Sequence, residues 1–446
     1  MPLHDLTEFL KLSSVLNYNL SAASLNRYNV LLFIIENKLL DPDSQRDRDA
    51  KSNVMESLGF LFAAYSQKRR RLGPMAVIHP IRAAALFARA RNQISLVELL
   101  SALFHDILED IQSVDFDVSQ WIEMESLLFD ILKRLGPDRE EQLIQNLVNL
   151  TRVSGESYYR YIGRLLDNAG DSTDLVQIKL ADRLDNTLDM RIDLQDPLEG
   201  IDFFENIFQI LYVPNYRGNP LTFGPPASTV LNGAKRLYQL FKNAVLLSLI
   251  RQKIPSERSV EFDPLFEAVC SASLKEAQRT FIHLVHYHYR DTSEQRQLLL
   301  ETMDYCYRGG IDLVTKPDKE FLLDGLFSSY FGLAGKKHLE QRLHRLYQNK
   351  PLMIEASIAF ITIFLSFLNN PEIFCQGHQR QRDRTDMKRL AGSWILDLGC
   401  WASWMLDHGY RASLLRSYDP AGWMLGSGTF DFGFRILEYL MLKAQG

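Results

Sequence analysis

"SALFHDILEDIQ", residues 101–112, sits in a stretch that otherwise reads as apolar helix. It carries a His-Asp doublet and, three residues on, a Glu-Asp doublet. At about 100° per residue, His105, Asp106, Glu109 and Asp110 fall in one sector of a helix spanning 95–111. Leu103, Phe104, Ile107, Leu108 and Ile111 fill the rest. Four side chains able to bind a metal or move a proton then share one stripe. The plain alternative is a solvated face, where amphipathic helices place acids as a matter of course; Glu98 and Ser101 fall on the same side. What decides between the two is whether the rest of the chain supplies partners.

The chain has 446 residues, enough for two or three domains. At 46% hydrophobic and 24% charged it has an ordinary globular balance, and a net charge of −5 argues against a nucleic-acid binder. Four cysteines, Cys270, Cys306, Cys375 and Cys400, are too far apart for a zinc knuckle and too sparse for a disulfide framework. That usage fits a reducing compartment and a cytoplasmic protein. The opening MPLHDLTEFLKLSS carries acids and no basic run, unlike a signal peptide. The longest apolar run, ASIAFITIFLSFL at 356–368, is too short to span a bilayer and reads as a buried helix.

Helical periodicity dominates and strand-like alternation is scarce. Residues 6–40 suggest two helices and 41–52 a polar loop. NVMESLGFLFAAYSQKRRR reads as a helix ending in a basic run, broken by Gly73-Pro74, and HPIRAAALFARARN opens the next. Further helices are expected near 121–135, 139–151, 156–167, 174–190 and 229–252. The Pro- and Gly-rich stretch 213–228 is a long loop with the makings of a lid, and 253–264 is the best linker.

Partners for the doublets exist. His79 stands upstream in AVIHP and Asp182 downstream in IKLADRLDN. Two neutral imidazoles and two carboxylates make a mixed nitrogen and oxygen site, suited to Mn²⁺, Fe²⁺, Ni²⁺ or Zn²⁺ rather than Ca²⁺. Asp182 and Asn186, four apart, share a helical face. The order of HP, ALFHDILED and KLADRLDN resembles the HD superfamily of metal-dependent phosphohydrolases, and more narrowly the Rel/SpoT-type alarmone hydrolases. NLTRV at 149–153 is similar to that branch's GVTKL segment. The resemblance covers about residues 50–200.

The resemblance implies that His79, His105, Asp106 and Asp182 hold one Mn²⁺-like ion and that Glu109 and Asp110 orient or deprotonate the attacking water. It implies that Asn186 contacts the sugar or phosphate and that Arg70 packs on the guanine base. Cations that could offset a pyrophosphate lie nearby: Lys68, Arg69, Arg70 and Arg71 precede the first His, and Lys179 and Arg183 flank Asp182. A solvated basic cluster, and for Arg183 a structural ion pair, are the plain readings. The chain also departs from the branch: Leu72–Ala76 replaces Ser-Gly-Glu-Pro-Tyr, Asp185 replaces the His of RLHN, and Asp189 replaces a small hydroxyl residue. No synthetase domain is apparent.

Three other stretches invite a function. HLVHYHY (His283, His286, His288) lacks a nearby Cys or carboxylate to complete a metal set and reads as a half-buried helix. ILDLGCWAS at 395–403 lacks the further glycines of an S-adenosylmethionine motif. The aromatic tail from Trp394 to Phe434 reads as core or an oligomer interface. The expectation is therefore an all-α protein: an HD-type helical bundle over 1–252, followed by a mostly helical C-terminal region over 265–446 that regulates, forms a homo-oligomer or binds a protein partner. Its reaction would be pyrophosphate removal from a guanosine polyphosphate such as (p)ppGpp, with arginines and lysines at 70, 71, 179 and 183 and Asn186 on the substrate. Hydrolysis of another nucleotide, and a non-catalytic HD ligand sensor, are the alternatives.

Overall fold

A computed structural model describes residues 45–66, 68, 76–153, 156–169, 173–188, 233–253, 263–308, 323–324 and 349–369. Arg70, Arg71, the helices expected over 6–40, the 213–228 loop, most of the 253–264 linker, the 395–403 stretch and the aromatic tail lie outside them. The described residues contain α-helices, one short 3-10 turn and no strand, so the fold is all-α. None of these helices is long and apolar enough to cross a membrane.

The elements run α1 (Gln45–Ala64), α2 (Ile78–Arg89), α3 (Leu96–Leu103), α4 (Ile107–Asp110), α5 (Val118–Arg134), α6 (Pro137–Leu150), α7 (Tyr158–Ala169) and α8 (Asp174–Leu188). After a gap come α9 (Gly233–Lys253), α10 (Asp263–His288), α11 (Thr292–Arg308) and α12 (Lys350–Asn369). Start signals in the sequence account for several boundaries. Ser95 and Glu98 form a reciprocal capping box at α3, and Asp117 caps α5 through the Gln120 amide. Gly136, at φ 83°, makes the turn into α6, and Pro137 opens that helix where its missing N–H costs nothing.

Two local expectations are corrected. Residues 45–52 are not a loop but the first turns of α1, a helix that goes on to bury Val54, Leu58 and Leu61; Asp49 and Ser52 are exposed, so polar residues there mark solvent rather than a break. The helix expected across 95–111 is two helices separated by the turn Phe104–Asp106. Phe104 (φ −104°, ψ 7°) and Asp106 (φ −104°, ψ 2°) both occupy the bridge region between helix and strand, where active-site residues often sit. Periodicity ran through the break because Phe104 and Ile107 are both fully buried on either side of it.

α8 is the axis of the fold. It packs on α2, α7 and α10, with further contact to α6 and α9. Leu175, Val176, Ile178, Leu180, Ala181 and Leu184 are buried, but so are Gln177, Lys179, Asp182, Arg183, Asp185 and Thr187. A helix buried all round normally carries apolar residues all round. Here the polar ones are paired, as buried polar groups must be. Arg183 donates from Nε to Asn243 Oδ1 (2.8 Å) and from an NH2 to the Gln239 carbonyl (3.0 Å) on α9. The Asn243 amide donates to Thr187 Oγ1 (2.8 Å) and to Ser273 Oγ on α10 (2.9 Å). α8, α9 and α10 are thus tied by one buried asparagine. The apolar side chains from Ala50 to Leu365 form one continuous core, and α12 is buried within it along Ala356–Leu365, as its apolar run implies.

Candidate metal centre

Three elements bring four residues together. His79 stands in the first turn of α2, followed by Pro80 where a helix tolerates proline. His105 and Asp106 occupy the turn between α3 and α4, which lets two adjacent side chains turn the same way. Asp182 projects from the middle of α8. One ligand atom from each lies within 4.8 Å of all the others. Two ligands held opposite each other by an ion with bonds near 2.1 Å are about 4.2 Å apart, so small side-chain shifts suffice.

The donor atoms face the right way. His105 Nδ1 donates to the Ala102 carbonyl (2.9 Å), since a carbonyl can only accept, and this leaves Nε2 for the cluster. His79 Nε2 lies 3.1 Å from Asp106 Oδ2 and 3.2 Å from Asp182 Oδ1; His105 Nε2 lies 3.1 and 3.8 Å from the same two oxygens. His105 Nε2 is buried and makes no well-formed hydrogen bond. A buried nitrogen lacking a well-formed bond, aimed at two converging carboxylates, fits a cation. Among the ligands only Asp106 opens outward: its side chain is 22% exposed against 4% for Asp182, so the centre is approached from the Asp106 side.

The electrostatics agree. Burial works against charge on His105, but Asp106 and Asp182 outweigh it and hold the imidazole up at about 10. Burial likewise opposes ionisation of Asp106, yet the histidines keep its carboxyl far below the usual carboxylate range. Asp182 is held low against its burial by Lys179 and the same histidines. The site without metal thus keeps a proton where a metal would supply charge. With a value near 10 folded and about 6.5 unfolded, charged His105 contributes stability that is fully present below about pH 6.5 and lost as pH rises through about 10. A metal needs the neutral ring and must displace that proton. Apparent metal affinity is therefore expected to rise about tenfold per pH unit between pH 7 and 9, with one proton released on binding. Calorimetry in buffers of different ionisation enthalpy reads this directly, and pH-independent binding would mean that His105 is already neutral in the metal-free site.

Glu109 and Asp110 follow in α4, at the exposed edge of the centre. Glu109 Oε1 accepts from the Arg152 backbone N–H (2.7 Å), and Tyr65 donates its hydroxyl to Asp110 Oδ2 (3.1 Å). Lys68 bonds the Asp110 carbonyl and pairs with Asp115 (2.7 Å). Asp110 is exposed overall, but the protein packed round its carboxyl and the Asp106 charge push it up to about 6. Asn186 donates to Asp182 Oδ1 (2.6 Å), which steadies one carboxylate of the cluster. Lys179 pairs with Asp182 Oδ2 (2.7 Å) beneath the Tyr161 ring. Arg183 makes its bonds to α9, not to a carboxylate. His283 and His288 meet Tyr287 edge-on on α10; among the described residues, the group that could hold a metal is His79, His105, Asp106 and Asp182.

Sequence reasoning missed three things here. Asp185, read only as a departure, is fully buried and bonded to His79 and Arg82; its spacing of three from Asp182, matching that of Arg82 from His79, was the available signal. Tyr65 on Asp110 carried no signal. Lys242 on α9 sits over the rings of Tyr158 (5.4 Å) and Tyr238 (4.6 Å). Burial, then Arg183, Lys179 and Arg152, push it down to about 7. It has no carboxylate partner among the described residues.

No protein-family model matches the chain, and no curated protein or solved structure matches it.

Proposed function

We propose that the chain is an HD-type, metal-dependent phosphohydrolase whose reaction is the removal of pyrophosphate from a guanosine polyphosphate such as (p)ppGpp. The observation that carries this reading is the convergence of His79, His105, Asp106 and Asp182 within 4.8 Å, each from the motif in which that superfamily keeps its ligands. A bound divalent ion, Mn²⁺ by preference, would lower the pKa of a coordinated water and offset charge on the phosphoryl oxygens. The chain's own residues do the rest. Glu109 and Asp110 stand one turn past the ligands, where a carboxylate accepts the water's proton as its oxygen attacks phosphorus; an Asp110 poised near 6 is matched to that task. As the bond from phosphorus to the sugar oxygen breaks, the proton taken from the water returns to that oxygen, and pyrophosphate leaves. Cations around Lys242, with no carboxylate partner beyond Asp182 among the described residues, favour a substrate carrying several negative charges over a neutral one.

Lys242→Met is expected to raise KM for such a substrate about 10- to 100-fold, the weight of a hydrogen bond to a charged group, while metal affinity stays unchanged. Steady-state kinetics beside calorimetry checks it; an unchanged KM would take Lys242 out of the substrate site.

The first test of the reading is pyrophosphate release from ppGpp with Mn²⁺, with chelated controls and ATP, GTP and deoxynucleotides alongside. Metal-dependent release from ppGpp alone supports it. Release from a different nucleotide alone keeps the chemistry and replaces the substrate, the outcome favoured by the altered Leu72–Ala76 segment. Metal binding without turnover of any nucleotide makes the chain a sensor.

A further inference from the structure

Asp185 lies on α8 one turn beyond Asp182 and is completely buried. Among the described residues, its carboxylate is bonded by His79 and Arg82. Oδ2 meets His79 Nδ1 at 2.6 Å and an Arg82 NH2 at 3.1 Å, and Oδ1 takes Arg82 Nε at 2.6 Å. A carboxylate only accepts, so Nδ1 of His79 carries the hydrogen. Its other nitrogen, Nε2, faces Asp106 and Asp182. The two helices are in register: α2 offers His79 and Arg82 three apart, and α8 offers Asp182 and Asp185 three apart, so one turn forms the centre and the next braces it.

A purely structural role would make Asp185 and Arg82 a buried ion pair holding α2 on α8. That role explains the fork to Arg82 but not why Oδ2 is shared with a ligand histidine. Removing two charges from water is costly, and an apolar pair packs two helices as well. The carboxylate is the group that does what an apolar side chain cannot: it selects one tautomer. We propose that Asp185, braced by Arg82, is a positioning residue that holds His79 in its Nδ1–H tautomer and aims Nε2 at the metal. This rests on the metal-centre reading and not on the identity of the substrate. The His-to-Asp departure at 185 is then a gain of a carboxylate–histidine–metal relay, a device that commonly supports ligand histidines.

The test is Mn²⁺ titration of the full chain as wild type, Asp185→Asn, Arg82→Gln and the double variant, with far-UV circular dichroism to confirm folding. Asp185→Asn is expected to bind Mn²⁺ about 10- to 100-fold more weakly, and the double variant to stay weak because the loss runs through His79. If Asp185 serves only to neutralise Arg82, the double variant returns to wild-type affinity and the proposal fails. Should the variants not fold, the wild type decides. In the Zn²⁺-loaded, ¹⁵N-histidine-labelled chain, His79 should show a hydrogen-bonded proton on Nδ1 and a metal-shifted Nε2; the reverse assignment overturns the proposal. A wild type that binds no divalent ion overturns it together with the metal centre. Metal binding with the expected order of variants, but no turnover of any nucleotide, removes the hydrolase reading alone.

Discussion

In Asp106→Ala, pyrophosphate release is expected to fall to the level of the chelated protein, and Mn²⁺ affinity to drop by more than the roughly 100-fold typical of losing an outer partner. Asp106 Oδ2 is the oxygen that both histidines approach at 3.1 Å, and Asp106 is the ligand that opens outward. Without it, two imidazoles and the deeply buried Asp182 remain, and the cluster loses its outward-facing carboxylate. The substitution also reaches the proton balance. Once burial is overcome, Asp106 is the foremost influence raising His105, so in the variant His105 loses much of that support. The stability that charged His105 contributes below about pH 6.5 shrinks accordingly, since it arises from the difference between folded and unfolded values. Calorimetry with Mn²⁺ and thermal melts at pH 6 and pH 9 read the two effects separately. Wild-type activity in Asp106→Ala would end the metal-centre reading.

Glu109→Ala is expected to keep the metal and lose turnover, with kcat down by about 10²- to 10⁴-fold, the range for removing a general acid or base. Glu109 contributes no atom to the four-residue cluster, so metal affinity is expected to change little. Asp110→Asn separates the two carboxylates by pH. A carboxylate acting as base must be ionised, so the wild-type rate should rise with pH up to about 6 and then level off. A bound cation favours the ionised form and moves that rise to lower pH. In Asp110→Asn the rise disappears. If it persists there, Asp110 is not the base. Full activity in Glu109→Ala would deny that residue its role.

The centre was legible because its residues are out of place where they stand. A His-Asp doublet interrupting an apolar run, and an aspartate in the middle of another, have few reasons to be buried other than each other. What periodicity could not show was the break at Phe104–Asp106. A turn that keeps Phe104 and Ile107 buried leaves the apolar pattern intact while altering where His105 and Asp106 point. Residues 45–52 failed for the opposite reason: a polar composition resembles a loop, yet one face of α1 meets water. Asp185 was visible but could not be interpreted, because its value depends on His79 and Arg82, more than a hundred positions earlier. Lys242 and Asn243 sit inside a long, mostly apolar helix, and their meaning comes from α8, which local sequence does not reveal.

Asn243 has a consequence for how such a chain can change over generations. It joins Arg183 and Thr187 on the ligand helix to Ser273, in the stretch that the motifs do not reach. Substitutions at Ser273 are therefore felt one hydrogen bond from the helix that carries Asp182. The segment bearing the motifs is not a detachable module that recombination could move into a new host by itself. Leaving α10 behind would strip the cover from α8 and leave a buried amide without its partner. Selection on the His/Asp cluster and selection on α10 act on one object, and drift in either half is constrained by the other.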